Sequence, residues 1–289
     1  MIDELDPPFE LLTPAIARGP VLFNLPHSGR VYPRRFQAQT RLDLMTLRRS
    51  EDAFVDDLFA GVVLRGAPLL KARFPRAYVD VNREPYELDP AMFSGPLPKE
   101  ANIASVRVAG GLGTIARIVT ERDEIYQGPI PVEDAIERIE TLYKPYHRAL
   151  ADTLEGLARR FGAAILIDCH SMPSMRQDAA RRPDFILGDR YNTSCSRLIV
   201  DVAHNRLRRL GYTVTRNKPY AGGYITETYG QPHRGFHALQ IEINRGLYMD
   251  ERRVAKLPSF ANLQTDLMVL VEDLIALSPA GLMPSQAAE

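Results

Sequence analysis

The 289-residue sequence has no tryptophan, two cysteines, no net charge and no long hydrophobic run, and these absences exclude several classes of protein. Lys+Arg and Asp+Glu both number 36, giving a pI near 7.0. A protein that tracks a phosphate backbone shows a basic excess or a basic stripe, and this one has neither, so no nucleic-acid partner is expected. No apolar stretch approaches the ~20 residues needed to span a bilayer, so no membrane association is expected. The start, Met1-Ile2-Asp3-Glu4-Leu5-Asp6, is acidic and lacks the basic end and apolar stretch of a secretory signal. Cys169 and Cys195 cannot make a disulfide framework, which points to a reducing compartment. The expectation is a cytoplasmic protein. No internal repeat and no low-complexity segment interrupts the chain, which removes solenoids and propellers.

What is present is ordinary globular composition, 45% hydrophobic and 25% charged, with a recurring strand–helix pattern. Val21–Leu25 reads as a buried strand ending at Pro26-His27-Ser28-Gly29. Residues 41–64 read as helical, and Leu69–Ala72 and Ala77–Asn82 as short strands. The proline- and glycine-rich stretch from Glu84 to Gly128 reads as loops with a hairpin, Val106–Val108 against Ile115–Val119. From Pro131 a long amphipathic helix runs to Phe161, with Pro145 expected to kink it. Ala163–Asp168 is a continuous apolar strand, implying a sheet covered on both faces. Strands at Asp184–Leu187, Tyr212–Thr215 and His237–Ile243 alternate with helices at Cys195–Leu210 and Val254–Leu277. The pattern predicts an α/β sandwich with a mostly parallel sheet, residues 1–289 forming one domain.

Residues of catalytic type fall at strand ends, where open α/β sheets build their sites. His27 and His170 each closely follow an apolar strand. Two histidines meeting there, with a carboxylate from a third loop, make a three-ligand metal site with one open position. Asp52 and its neighbour Glu51 are both available as that third ligand, and Asp168 can orient a ligand histidine. A lone strand-end histidine is more often structural, so the case rests on the set. Glu242 sits within Leu239-Gln240-Ile241-Glu242-Ile243, where burial raises a carboxylate toward the pKa of a general base. A structural pairing with Arg245 is the plainer reading of the same residue. Asn82-Arg83 can hold an anionic substrate group through amide and guanidinium, and Arg76 is a second exposed-or-bound arginine of the same kind. Ser28 and Ser171 lie in no Gly-x-Ser-x-Gly elbow, and Gly110-Gly111-Leu112-Gly113 lacks the Gly-Lys-Ser/Thr ending of a phosphate loop. Cys169 is read as buried and inert, His147 as packing and His204 as solvated, with His233 and His237 kept as candidates near a strand.

Taken in order, these segments resemble a known family. Asn24-Leu25-Pro26-His27-Ser28-Gly29, Asp52 with Asp56, Tyr78-Val79-Asp80-Val81-Asn82-Arg83, Asp168-Cys169-His170-Ser171-Met172-Pro173 and Leu239–Met249 resemble the N-formylglutamate amidohydrolases over residues 20–275. The resemblance implies a three-layer α/β/α sandwich of the phosphorylase/hydrolase type with a mostly parallel mixed sheet, similar to the zinc carboxypeptidases. It implies one catalytic Zn2+ held by His27, Asp52 and His170, a site type that also accepts other divalent metals. It further implies Glu242 as the group that activates water, Asn82 and Arg83 as holders of the substrate α-carboxylate, and Arg76 as a polariser of the scissile carbonyl.

The activity implied is hydrolysis of N-formyl-L-glutamate to formate and glutamate, a step of histidine degradation, on a small-molecule substrate. Its glutamate side chain asks for a further cation, with Arg107, Arg117, Arg176, Arg234 and Arg245 as candidates. Ala53-Phe54 stand where typical relatives carry an aromatic–His pair, which keeps open a zinc hydrolase of another N-acyl amino acid or small peptide. A non-catalytic ligand-binding relative is the alternative of a different class.

Overall fold

Nine consecutive buried residues, Ala164–Met172, form the central strand, and its neighbours are read from it outward in a computed structural model that describes residues 3–120, 123–174 and 183–282. We number the strands of the main sheet β1 (Phe9–Leu12), β2 (Val21–Leu25), β3 (Leu69–Ala72), β4 (Ala164–Met172), β5 (Phe185–Gly188), β6 (Val214–Arg216) and β7 (Phe236–Asn244). Their order across the sheet is β1-β3-β2-β4-β7-β5-β6. β2, β4 and β7 run parallel, with Asn24 opposite Asp168 and His170 opposite Glu242. β5 pairs antiparallel with β7 and parallel with β6, so the sheet is mixed. The four strands β2, β4, β5 and β7 are buried almost throughout. That matches the continuous apolar runs in their sequences, since a strand covered on both faces has no solvent side to alternate with.

The chain forms two compact units. One comprises residues 1–10, 26–53 and 71–149; the other comprises 11–25, 54–70 and 150–289. In the second, the helices Arg197–Arg209 (α3) and Phe260–Ile275 (α4) pack on each other, and the short helix Tyr224–Tyr229 packs on β4 and β7. This is the expected α/β sandwich. Helix Val132–Arg138 (α1) of the first leads through one wide π-turn, Ile139–Tyr143, into Lys144–Phe161 (α2), whose residues from Leu150 onward are counted in the second. Pro145 was expected to kink a single helix there. A proline lacks the amide hydrogen that the carbonyl four residues back would accept and crowds that carbonyl, and the wide turn covers that residue, Thr141.

Several expected elements differ. Residues 41–64 form three short helical pieces, Leu44–Arg48, Val55–Leu58 and Val63–Arg65, rather than one helix. Phe54, at a left-handed φ of 64°, turns the chain before the second piece. Ala77–Asn82 is a chain of turns, and the expected hairpin is absent: Val106–Ala109 is a helical turn capped by Ser105, whose Oγ accepts the Val108 amide. A serine at that position satisfies an amide that the first turn of a helix leaves open. The last helix begins at Phe260, after a two-residue strand at Ala255–Lys256.

Candidate active site

In the first unit, the site begins where the chain leaves β2. Gly29 lets the loop pass against another stretch of backbone: a Cβ there would lie 2.1 Å from the Phe74 carbonyl oxygen. The loop is also tied by the Val31 amide to the Arg73 carbonyl at 2.9 Å, and by the Asp52 amide to the His27 carbonyl at 3.0 Å. These ties bring three buried groups together. His27 Nδ1 lies 3.5 Å from Asp52 Oδ2, while His27 Nε2 bonds Asp80 Oδ1 at 2.8 Å. A metal-binding histidine is oriented in this way, with one ring nitrogen on a carboxylate and the other left for the ion. Glu51 is turned elsewhere, its carboxylate accepting from Tyr32 Oη at 2.7 Å and from Arg48 Nε at 3.2 Å.

Asp80 is the hub of this cluster. Its Oδ2 accepts from Arg76 Nη2 at 2.7 Å and lies 3.8 Å from Arg83 Nε, and its Oδ1 also accepts from the Asn82 amide at 2.9 Å. Burial opposes its charge, yet Arg76, His27 and Arg83 together hold the carboxyl well below the usual range. Arg83 is itself largely buried, and burial, with Arg76 and Arg107 nearby, pulls its pKa down against the attraction of Asp80 and Glu87. Its Nε donates to the Leu112 carbonyl at 2.9 Å and its Nη1 to the Asn82 carbonyl at 2.8 Å. His147 and Tyr143 brace the same segment, by contacts to the Val81 and Arg83 carbonyls of 2.8 and 2.6 Å, which bears out the reading of His147 as a packing residue.

In the second unit the functional side chains share one face of the sheet. Residues two apart on a strand point the same way, and facing residues of paired strands lie side by side. Asn24, Asp168, His170, Gln240 and Glu242 therefore line one face, at adjoining positions of β2, β4 and β7. Asn24 Nδ2 donates to Asp168 Oδ1 at 2.8 Å, and Asp168 Oδ2 bonds His170 Nε2 at 2.9 Å. The two histidines thus have the same arrangement, each with a carboxylate on Nε2. Glu242 accepts from Gln240 Nε2 at 2.9 Å, and Gln240 in turn accepts the Gly223 amide at 2.9 Å. Arg245 is buried, and its Nε donates to Ser171 Oγ at 3.0 Å. Cys169 points to the opposite face, fully buried, with its thiol pKa pushed well up by burial, as an inert residue should be.

His27, Asp52 and His170, all buried, form a group that can hold a metal ion. Two histidines and a carboxylate, each histidine fixed through its second nitrogen, suit zinc and other first-row divalent ions. The family model for N-formylglutamate amidohydrolase matches residues 19–249.

The chain belongs to this family. As an amidohydrolase it is 29% identical over 252 residues to the N-formylglutamate deformylase of Pseudomonas aeruginosa, covering 84% of this chain and 87% of that one. The deformylase of Pseudomonas putida is 27% identical over 242 residues, covering 81% and 83%. The crystal structure of N-formylglutamate amidohydrolase from Ralstonia eutropha JMP134 superposes with a TM-score of 0.89 at 37% identity, covering 95% of this chain and 99% of the other. A gene product of Agrobacterium tumefaciens shares the fold, with a TM-score of 0.67 at 17% identity over 93% of this chain and 94% of that one. No helix among the described residues is long and apolar enough to cross a membrane.

Asp80 is the residue that sequence reasoning passes over in this amidohydrolase, where it enters only within the motif Tyr78–Arg83. The signal was an acid flanked by two apolar residues, Val79 and Val81, all three of them buried. Of the kept candidates, His233 is exposed and His237 is buried near the start of β7, both away from the Glu242 end. His237 is structural: its Nδ1 accepts the Ser196 amide at 3.2 Å and its Nε2 bonds the Leu282 carbonyl at 2.9 Å. His204, read as solvated, is half-buried, and burial lowers its pKa. Arg176 lies outside the described residues.

Proposed function

We propose that this amidohydrolase cleaves the formyl amide of N-formyl-L-glutamate, giving formate and L-glutamate, with Zn2+ held by His27, Asp52 and His170. The observation that carries the proposal is the matched support of the two histidines, Asp80 on His27 Nε2 at 2.8 Å and Asp168 on His170 Nε2 at 2.9 Å. Such support fixes the tautomer and orientation of each ring and leaves each Nδ1 as the ligand atom. An ion held by these residues would supply Lewis acidity, lowering the pKa of water toward ~7.

The chain's own groups do the rest. Glu242, oriented by Gln240, takes the water proton and returns it to the amide nitrogen as the C–N bond breaks. Asn82 and Arg83 hold the α-carboxylate, so that the reacting carbon is positioned and not merely bound. Arg76, steadied by Asp80, would stabilise the oxygen that becomes negative. The family match spans segments of both compact units, which supports reading residues 1–289 as one amidohydrolase domain. A cytoplasmic role in histidine degradation belongs to the same reading.

The test is primary-amine release from a panel of N-acyl amino acids, with zinc and then with chelator. Chelator-sensitive turnover of N-formyl-L-glutamate above the rest is expected. Turnover of another N-acyl amino acid instead overturns the substrate and keeps the chemistry. Glu242→Gln should retain zinc stoichiometry and lose ~10²-fold or more in kcat; full activity with metal bound removes Glu242 from the mechanism.

A further inference from the structure

A substrate with two carboxylates needs two anion partners, and Arg83 supplies one in the reading above. Among the other arginines of suitable type, most are already engaged. Arg117 binds Asp89 at 2.9 Å and Glu124 at 3.5 Å. Arg234 donates to Gln231 Oε1 at 2.7 Å, just ahead of β7 and far along that strand from Glu242. Arg245 is buried on Ser171.

Arg107 differs from all of these. It rides on the helical turn Val106–Ala109, with its side chain 35% exposed. Its guanidinium makes no hydrogen bond to any described residue, and its one ion pair, to Glu87 Oε2, is 3.7 Å long. The Leu112 peptide links its turn to Arg83: the Leu112 amide donates to the Arg107 carbonyl at 2.8 Å, and the Leu112 carbonyl accepts Arg83 Nε at 2.9 Å. A neighbouring constraint holds that linkage, since a Cβ on Gly113 would lie 2.2 Å from the Glu87 carbonyl oxygen. Arg76 and Arg83 lie against Asp80 and Arg107 lies against Glu87, so three guanidinium groups gather around these two carboxylates.

We propose that Arg107 binds the side-chain carboxylate of the substrate, so that the enzyme selects N-acylated dicarboxylic amino acids over neutral ones. The proposal rests on the amidohydrolase reading given above and adds the residue that sets specificity. A guanidinium with free donors, on a turn tethered to the α-carboxylate holder, can accept a carboxylate through two parallel hydrogen bonds.

The experiment measures kcat and KM of the zinc-loaded wild type, Arg107→Gln and Arg107→Lys for N-formyl-L-glutamate and for N-formyl-L-glutamine. The two substrates differ only in the charge of the side chain, so turnover of the glutamine analogue reports an intact catalytic centre. The wild type should prefer the glutamate substrate. Arg107→Gln should reduce that preference roughly tenfold or more, mainly through KM, the usual scale for losing a hydrogen bond to a charged group. Arg107→Lys should recover part of it. An equal loss on both substrates, or a preference unchanged in Arg107→Gln, overturns the assignment while leaving the deformylase reading in place. A wild type that turns over the glutamine analogue equally well overturns it too. A wild type inactive on N-formyl-L-glutamate removes the deformylase reading first, and this assignment with it.

Discussion

At the scale of single residues, the most exposed dependence is that of His27 on Asp80. Removing the carboxylate frees the imidazole to rotate and to change tautomer. Asp80→Ala should therefore weaken metal binding by about 10–100-fold, measured by competition with a chromogenic chelator. A second residue prediction concerns acid. Burial lowers the pKa of His237, and the bond to Leu282 only partly opposes that. A histidine held neutral stabilises the fold fully above its unfolded pKa of about 6.5, and this contribution falls as the pH drops from there toward the lower folded value. His237→Gln should flatten the decline in thermal midpoint between about pH 7 and pH 5, relative to the wild type. If the two profiles are parallel, the residue does not titrate as its surroundings imply.

At this scale the sequence was informative about chemistry and silent about partners. His27, Asp52, His170 and Glu242 are each legible as a polar residue bordering or breaking an apolar run. The choice of Asp52 over Glu51 was not, because adjacent residues differ only in the direction of their side chains. It took Tyr32, nineteen positions upstream, and Arg48, three upstream, to turn Glu51 away.

Among the elements, long buried strands were the most legible, since nine apolar-dominated residues such as Ala164–Met172 leave little choice of conformation. The segment Tyr78–Asn82 has the same alternation and is not a strand. Its backbone is drawn into turns by contacts far along the chain, the Asp80 amide to the Thr114 carbonyl at 2.8 Å and the Val81 carbonyl to His147 Nε2 at 2.8 Å. Local periodicity carries no record of such ties. The helix α1 depends on another tie of this kind. Its last residue, Arg138, is buried, with its guanidinium 4.0 Å from the Tyr78 ring and bonded to Tyr126 Oη at 2.7 Å and the Tyr78 carbonyl at 3.2 Å. Arg138→Met should fill some of the same volume while stranding these acceptors, and should cost about 1–3 kcal/mol in denaturant unfolding. Gly29→Ala is expected to be of similar cost, about 1–3 kcal/mol, because the added methyl group meets backbone that cannot rotate away.

For the whole molecule, neutrality and the family match are the global facts. Equal numbers of acidic and basic residues give no net charge to draw anions over a long range, so capture of an anionic substrate would fall to local clusters such as that around Arg83. Removal of the ion should abolish turnover and lower the thermal midpoint by several degrees, as expected when a ligand bound only by the folded state is withdrawn. Zinc should restore both, and differential scanning fluorimetry with an activity assay reads them together. A chelated protein that keeps full activity contradicts the metal reading. The fold class was legible at this scale, from the alternation of strands and helices. Which strand breaks the parallel order of the expected mixed sheet was not, since nothing in Phe185–Gly188 distinguishes a strand running against β7 from one running with it.

The parallel ladder of β4 and β7 sets how this gene tolerates insertions and deletions. Asp168, His170, Gln240 and Glu242 all occupy one face because they are spaced by two, while Ile167, Cys169, Leu239 and Ile241 occupy the other. Losing one residue upstream within either strand sends its whole polar set toward the apolar layer and its apolar set toward the site. Such a change cannot yield a slightly weaker enzyme. Substitutions in these strands should give graded activities, whereas single-residue deletions should give none, and a deletion scan of Ala164–Met172 and Phe236–Asn244 would find activity lost at every position within them.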